Sequence, residues 1–226
     1  VVAVYKRGSL VAMDGELVRP VEEPKAAGRK AVSGTVRVGD FSAEKLDAHG
    51  KALPVIGLVA HELITTDEGR AEAVDTERDI VKLAVIERHH ETGHIGLCYL
   101  KGYGLKSGAV ATTVAHDSHN VIVAGTNDAD MALAVETLKA CGGGMAVVDG
   151  GRVKAELALP IAGLMCDLDA EEAEAALSRV KDAAYALGAS HEIDPLMTLS
   201  SMSLPVIPHR KLTTLGVVDV DAFRLV

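Results

Sequence analysis

Residues 110–127 read V-A-T-T-V-A-H-D-S-H-N-V-I-V-A-G-T-N. Two apolar runs flank five consecutive polar residues: His116, Asp117, Ser118, His119 and Asn120. β-Branched side chains suit a pleated, half-buried surface, so residues 109–115 and 121–124 are expected as strands. The polar knot between them is then a connection held by rigid flanks, where function concentrates. Thr126 or Asn127 is expected to cap a helix, whose buried face is Met131, Ala134, Val135 and Leu138 at helical spacing. Gly142, Gly143 and Gly144 end it. Residues 145–149 and 152–157 follow as a hairpin around Asp149-Gly150-Gly151.

Working outward, Asp169 with Glu172 three residues on predicts a capped helix. Its buried face is Ala173, Leu177, Val180, Ala184 and Leu187, and Gly188 stops it. Residues 195–203 read as a short helix or an irregular buried segment, 204–208 as an extended path fixed by Pro205 and Pro208, and 212–220 as a turn and strand. Upstream, residues 79–87 and 95–100 read as strands, and the apolar run 54–65 as one buried strand. His61-Glu62 interrupts that run, either as a solvated bulge or as a pocket wall. The acidic stretch 66–79 is expected as a surface turn, and 31–38 as a strand with Val32, Thr35, Val36 and Val38 inward. Residues 1–17 form a small antiparallel element around Asp14-Gly15, and 19–29, with Pro20 and Pro24, a linker. Strands outnumber helices, which predicts an α+β fold of mixed alpha/beta layers.

Composition narrows the function classes. The chain has 226 residues, 48% of them hydrophobic, so a sizeable core is expected. Aromatics are only 3%, and that core must be Val, Ala, Leu and Ile. A net charge of −9 without a basic cluster argues against nucleic acid as a partner. No apolar run reaches the about 20 residues of a membrane-spanning helix, so no membrane partner is expected. Cys98, Cys141 and Cys166 are scattered and odd in number, which favours free thiols in a reducing compartment and a cytoplasmic location. Val1 begins inside a strand-like run, so the chain is expected to be a piece of something longer.

Six of the nine histidines concentrate the chemistry: His89, His90 and His94 in one knot, His116 and His119 in another, with His61 a possible neighbour. Imidazole and carboxylate suit both a divalent metal and proton relay near neutral pH. His116-x-x-His119 with Asp117 is therefore open to three readings: a partial metal site, the lining of an active site without a metal, or a hydrogen-bonded loop. Nucleophilic catalysis lacks support, since Cys141 reads as a packed helix residue and Ser118 has no demonstrable triad. Phosphate loops, dinucleotide fingerprints, the zinc-protease motif and the zinc nucleobase-deaminase signature are all absent.

Beyond single motifs, the chain resembles the C-terminal domain of adenine deaminases of the amidohydrolase superfamily. The resemblance is carried by E-R-H-H-E-T-G-H-I-G, K-G-Y-G-L-K-S-G-A-V-A-T-T-V-A-H-D-S-H-N, V-A-G-T-N-D-A-D-M-A-L-A-V, G-G-G-M-A-V-V-D-G-G, L-P-I-A-G-L-M and D-P-L-M-T-L-S-S-M-S-L-P-V-I-P. It covers most of the chain from Gly34 onward, and it implies two parts: residues 1–30, a remnant of an accessory β domain with its linker, and residues 31–226, the C-terminal alpha/beta domain. Such enzymes hydrolyse adenine to hypoxanthine and ammonia with iron or manganese in a beta/alpha barrel. That barrel alone takes about 250 residues, and its His-x-His pair occurs nowhere here, so the catalytic barrel is absent from this chain. The resemblance implies no metal bound firmly by this chain itself, with His116 and His119 the weak candidates. The clustering of polar side chains at strand ends makes His116, Asp117 and His119 catalytic candidates and Ser118 and Asn120 substrate contacts, with Glu87, His89 and His90 as substrate contacts on an opposing wall or as a domain interface. The partners implied are adenine, a metal-binding barrel of the same polypeptide or a partner chain, and a further copy in a homo-oligomer. The alternatives are a non-catalytic interdomain or oligomerisation module, and a stand-alone purine- or metal-binding protein.

Overall fold

The computed structural model describes residues 1–20 and 32–226. They fall into two compact units, Val1–Ala31 and Val32–Val226. In the first, β1 (Ala3–Lys6), β2 (Ser9–Met13) and β3 (Glu16–Leu17) form an antiparallel sheet in that order. Asp14 and Gly15, at φ 50 and 87, join β2 to β3. A two-residue hairpin turn with both φ positive matches the strand twist, which is why Asp-Gly stands there. The expected linker lies outside the described residues from position 21 on.

The second unit is built on an open eight-stranded sheet. Its strands are β4 (Leu53–Leu58), β5 (Thr65–Ala71), β6 (Ile80–Ile86), β7 (Ile95–Lys101), β8 (Ala109–Thr112), β9 (Val121–Gly125), β10 (Gly144–Asp149) and β11 (Arg152–Ala158). Their order is β11-β10-β8-β9-β6-β7-β4-β5, with β4–β7 parallel and the other neighbours antiparallel. Helices α1 (Asp128–Cys141), α2 (Ala170–Ala186) and α3 (Pro195–Met202) cover it, and β12 (Arg210–Thr213), β13 (Gly216–Asp219) and β14 (Arg224–Leu225) form a second small sheet.

Period-2 alternation explains the continuous apolar runs. In β6, Val81, Leu83 and Val85 face a core shared with Ala176, Val180 and Ala184 of α2, Leu196, Leu199 and Met202 of α3, and Leu212 and Val217 of the small sheet. Ala84 and Ile86 face the opposite core, built with Met131, Ala134, Val135 and Leu138 of α1 and with Val38 and Leu46. All seven residues of β6 are buried because both faces are covered. Lys82 points to the α1 side, where its Nζ donates to the Leu46 carbonyl (2.7 Å) and meets Asp128. The α1 cap is Asn127, whose side chain accepts from the Asp130 N–H, and Asp169 caps α2 by accepting from Glu172 N–H.

Several expectations are corrected. The single strand over residues 54–65 is two strands, because the chain reverses through His61 at φ 59 and returns as β5, antiparallel to β4. The surface turn expected over 66–79 is, as far as Ala71, this same β5. It is the edge strand of the sheet, and an edge tolerates the polar sequence T-T-D-E-G-R-A because only Thr65 is buried. Residues 33–38 form no strand beyond a bridge from Ser33 to Ile161; Val38 is buried but Val32 is exposed. β8 stops at Thr112, short of Ala115. Residues 204–207 turn rather than extend, with Val206 and Ile207 N–H both donating to the Leu204 carbonyl. Tyr103, in the loop after β7, is fully buried and donates to the Pro195 carbonyl (3.0 Å).

Candidate functional site

The sheet itself brings the two polar knots together. Ile86, the last residue of β6, pairs with Val121, the first of β9. The loop after β6 (residues 87–94) and the loop before β9 (113–120) therefore leave the sheet at the same end. Arg88 ties them. Its backbone N–H donates to Asn120 Oδ1 (3.3 Å), its Nε to the His119 carbonyl, and its guanidinium to the Ala162 carbonyl (3.1 Å). His89 Nε2 lies 2.6 Å from the Ser118 carbonyl and completes the link.

Glu87 builds the first loop from inside. Its carboxylate accepts from the backbone N–H of His89 (2.5 Å), His90 (2.9 Å) and Thr92 (3.0 Å), and from the Thr92 hydroxyl (3.1 Å). Burial pushes the carboxyl up, but these donors from Thr92, His89 and His90 prevail and hold it at about 2. The acceptor capacity of Glu87 is thus spent within the protein. Asn120 is likewise engaged: Oδ1 accepts from Arg88 and Nδ2 donates to Ser118 Oγ (3.1 Å).

The second loop presents different chemistry. His116 is fixed through its backbone, its N–H donating to Ser200 O (2.8 Å) and its carbonyl accepting from Ser203 Oγ (3.1 Å), which hangs the loop on α3. His119 stands at φ 51 and its Nδ1 accepts from Ala115 N–H (3.2 Å). A ring nitrogen that accepts carries no proton, so the neutral ring has its hydrogen on Nε2. Burial first, then the neighbouring His116 and Arg88, lowers the His119 pKa and keeps the ring neutral near pH 7. Nothing among the described residues accepts from Nε2, which leaves a free donor. The His116 and His119 rings meet edge to face, with centroids 5.3 Å apart. Asp117 and Ser118 are exposed at the loop tip.

Beside this loop lies a groove of about 500 Å³. Asp117, Ser118, Asn120 and Ser203 give it one polar side, and Pro205, Val206, Leu215 and Leu225 an apolar one. A second hollow, near His61 and Glu62, is lined also by Tyr185 and His191, whose rings stack at 4.4 Å. His61 itself is exposed and pairs with Glu192 (3.1 Å), remote from the two knots in its contacts.

Among the described residues no group of three or more His, Cys, Asp or Glu side chains is arranged to hold a metal ion. With His119 Nδ1 accepting from the Ala115 N–H, the hydrogen sits on Nε2, so the pair offers one ring as a ready ligand and does not by itself make an iron or manganese site. Two residues escape a reading of the sequence alone. Arg88 is 2% exposed yet carries no carboxylate partner in the ion pairs described; a long cation defaults to the surface unless its acceptors are known. Ser203 holds His116 from 87 positions away, which no local signal encodes.

A family model described as the adenine deaminase C-terminal domain matches residues 53–224. The adenine deaminase 2 of Carboxydothermus hydrogenoformans is 45% identical over 232 residues, covering 99% of this chain and 40% of that protein. The adenine deaminase of Nitratidesulfovibrio vulgaris strain Hildenborough is 48% identical over 229 residues, covering 97% and 39%. Adenine deaminase 1 of Rhizobium meliloti is 43% identical over 222 residues, covering 92% and 39%. The chain thus spans about 40% of the length of these curated relatives.

Proposed function

The chain belongs to the family of adenine deaminase C-terminal domains, and from that premise we propose that it closes and lines the active site of a longer enzyme that hydrolyses adenine to hypoxanthine and ammonia. Residues 31–226 are the domain that does this, and residues 1–30 are the remnant and linker of an accessory β domain. The catalytic barrel is a separate part, in the same polypeptide or a partner chain. The manganese or iron of that barrel supplies Lewis-acid activation of the attacking water. The residues of this chain bind, orient and exclude water.

One observation carries the reading: the two polar knots converge at one sheet end and leave polar side chains exposed there, His90 and His94 from one loop and Asp117 and Ser118 from the other. Glu87, Asn120 and His89 are engaged inside the protein and act by positioning. His90 is fixed through its backbone N–H while its ring is exposed. Asp117 and Ser118 are exposed, and His119 offers an Nε2–H donor. Adenine presents ring-nitrogen acceptors and an amino donor, which such groups match. His119 donates to a ring nitrogen, Asp117 accepts from the exocyclic amine, and His116 supports the His119 ring. Free Cys98, Cys141 and Cys166 support a reducing, cytoplasmic setting, and we expect the full enzyme to be a homo-oligomer.

The test is alanine at His116 and at His119 in the full-length enzyme. The expected result is a fall in kcat/KM for adenine of about 10–100-fold for His119→Ala, within the range of one lost transition-state hydrogen bond or proton contact, with an unchanged melting temperature. Unchanged kcat/KM in both variants would instead favour a purely interdomain module.

A further inference from the structure

The groove beside the 116–120 loop is an exposed, partly apolar surface among the described residues. Val206 is 71% exposed, Leu215 66% and Leu225 54%, and all three line it. Isolated exposed apolar residues need no explanation, but a contiguous set around a concavity marks an interaction site. Val85 and Val218 form part of the same lining, so the concavity reaches inward to the sheet that carries the candidate loop.

We infer that this groove is the seat of the remaining part of the longer polypeptide, and that the seated surface is apolar with a cation or N–H donor set against Asp117. The inference rests on the reading that the chain works as one part of a longer enzyme, and names the surface through which it does so. Three observations select this occupant. The curated relatives carry about 60% of their length beyond what this chain matches, from 100 minus 40, so a large partner surface exists in each. The ionised group among the lining residues is Asp117, and a second copy of a chain with net charge −9 is a poor complement to it. The lining mixes buried aliphatic floor with the exposed polar tip of the 116–120 loop, so a body seated here also covers that tip and excludes water from it.

The test compares backbone hydrogen exchange in the full-length enzyme and in the 226-residue chain. The expected result is that the amides of Val206, Thr214 and Leu215 exchange at least about tenfold more slowly in the full-length enzyme. Leu215→Asp in the full-length enzyme returns them to the rates of the shorter chain, because seating would bury a carboxylate in the apolar wall of the groove. Met197→Asp, at an equally accessible apolar position outside the groove, leaves the protection intact. Equal exchange in the two chains overturns the inference. So does protection in the 226-residue chain alone that grows with its concentration, since the occupant would then be a second copy. Protection of the groove with His119→Ala fully active would sink the active-site reading and leave this one standing; the converse pair of results would do the reverse.

Discussion

Glu87 and Lys211 are both buried charges, and they bend the pH dependence of stability in different ranges. The folded Glu87 carboxyl, held at about 2, gives up its proton far more readily than an unfolded glutamic acid. Its stabilisation is therefore present above the ordinary carboxylate range and lost as pH falls toward 2. Glu87→Gln should cost about 2 kcal/mol at pH 7, because an amide cannot accept at both positions. Denaturant titrations should show wild type and variant converging by pH 2. Lys211 is fully buried; its Nζ donates to the Leu63 carbonyl (2.8 Å), and burial pulls its pKa down to about 8. Between pH 8 and the ordinary lysine range the unfolded chain binds the extra proton, so wild-type stability rises with pH across that window. Lys211→Met should remove that rise and stabilise the protein at pH 7 by about 1–2 kcal/mol, since Leu63 is exposed and its carbonyl can turn to water. At this scale the sequence announces which residues are polar and clustered, His116 to Asn120 above all. It cannot announce that Glu87 is consumed by its own loop while Asp117 stays exposed, because that depends on backbone donors whose directions are tertiary.

The elements with matched local and tertiary signals were readable from the residues. Asn127 and Asp169 cap helices, Asp14-Gly15 turns a hairpin, and β6 and β9 run apolar because cores lie on both faces. Sequence and structure differ where the two signals part. Residues 54–65 are apolar except for His61, Glu62 and Thr65, yet the chain reverses inside them at a residue with positive φ that is not glycine, His61. β5 reads as a turn because an edge strand buries almost nothing. The packing of the small sheet on β7 is another long-range fact. A Cβ on Gly96 would run into the backbone carbonyl of Thr213, and neither backbone can yield without separating the layers. Gly96→Ala should therefore cost about 2 kcal/mol or more in urea unfolding, and should loosen the β12–β13 wall of the groove as well.

For the whole molecule, the central claim is a division of labour: a two-faced sheet domain that positions a polar loop, and a separate barrel that holds the metal. The resemblance carried by the V-A-H-D-S-H-N and D-P-L-M-T-L-S-S-M-S segments made the family readable from sequence, and the family model and relatives agree with it. The topology β11-β10-β8-β9-β6-β7-β4-β5 was not readable, since apolar alternation gives strands their faces but not their neighbours. The most direct test is ammonia release from adenine by the 226-residue chain alone, supplied with manganese or iron, with bound metal measured on the same sample. The account predicts no turnover and no stoichiometric metal. Turnover with bound metal would contradict it, because the two histidine loops would then form a complete catalytic centre by themselves.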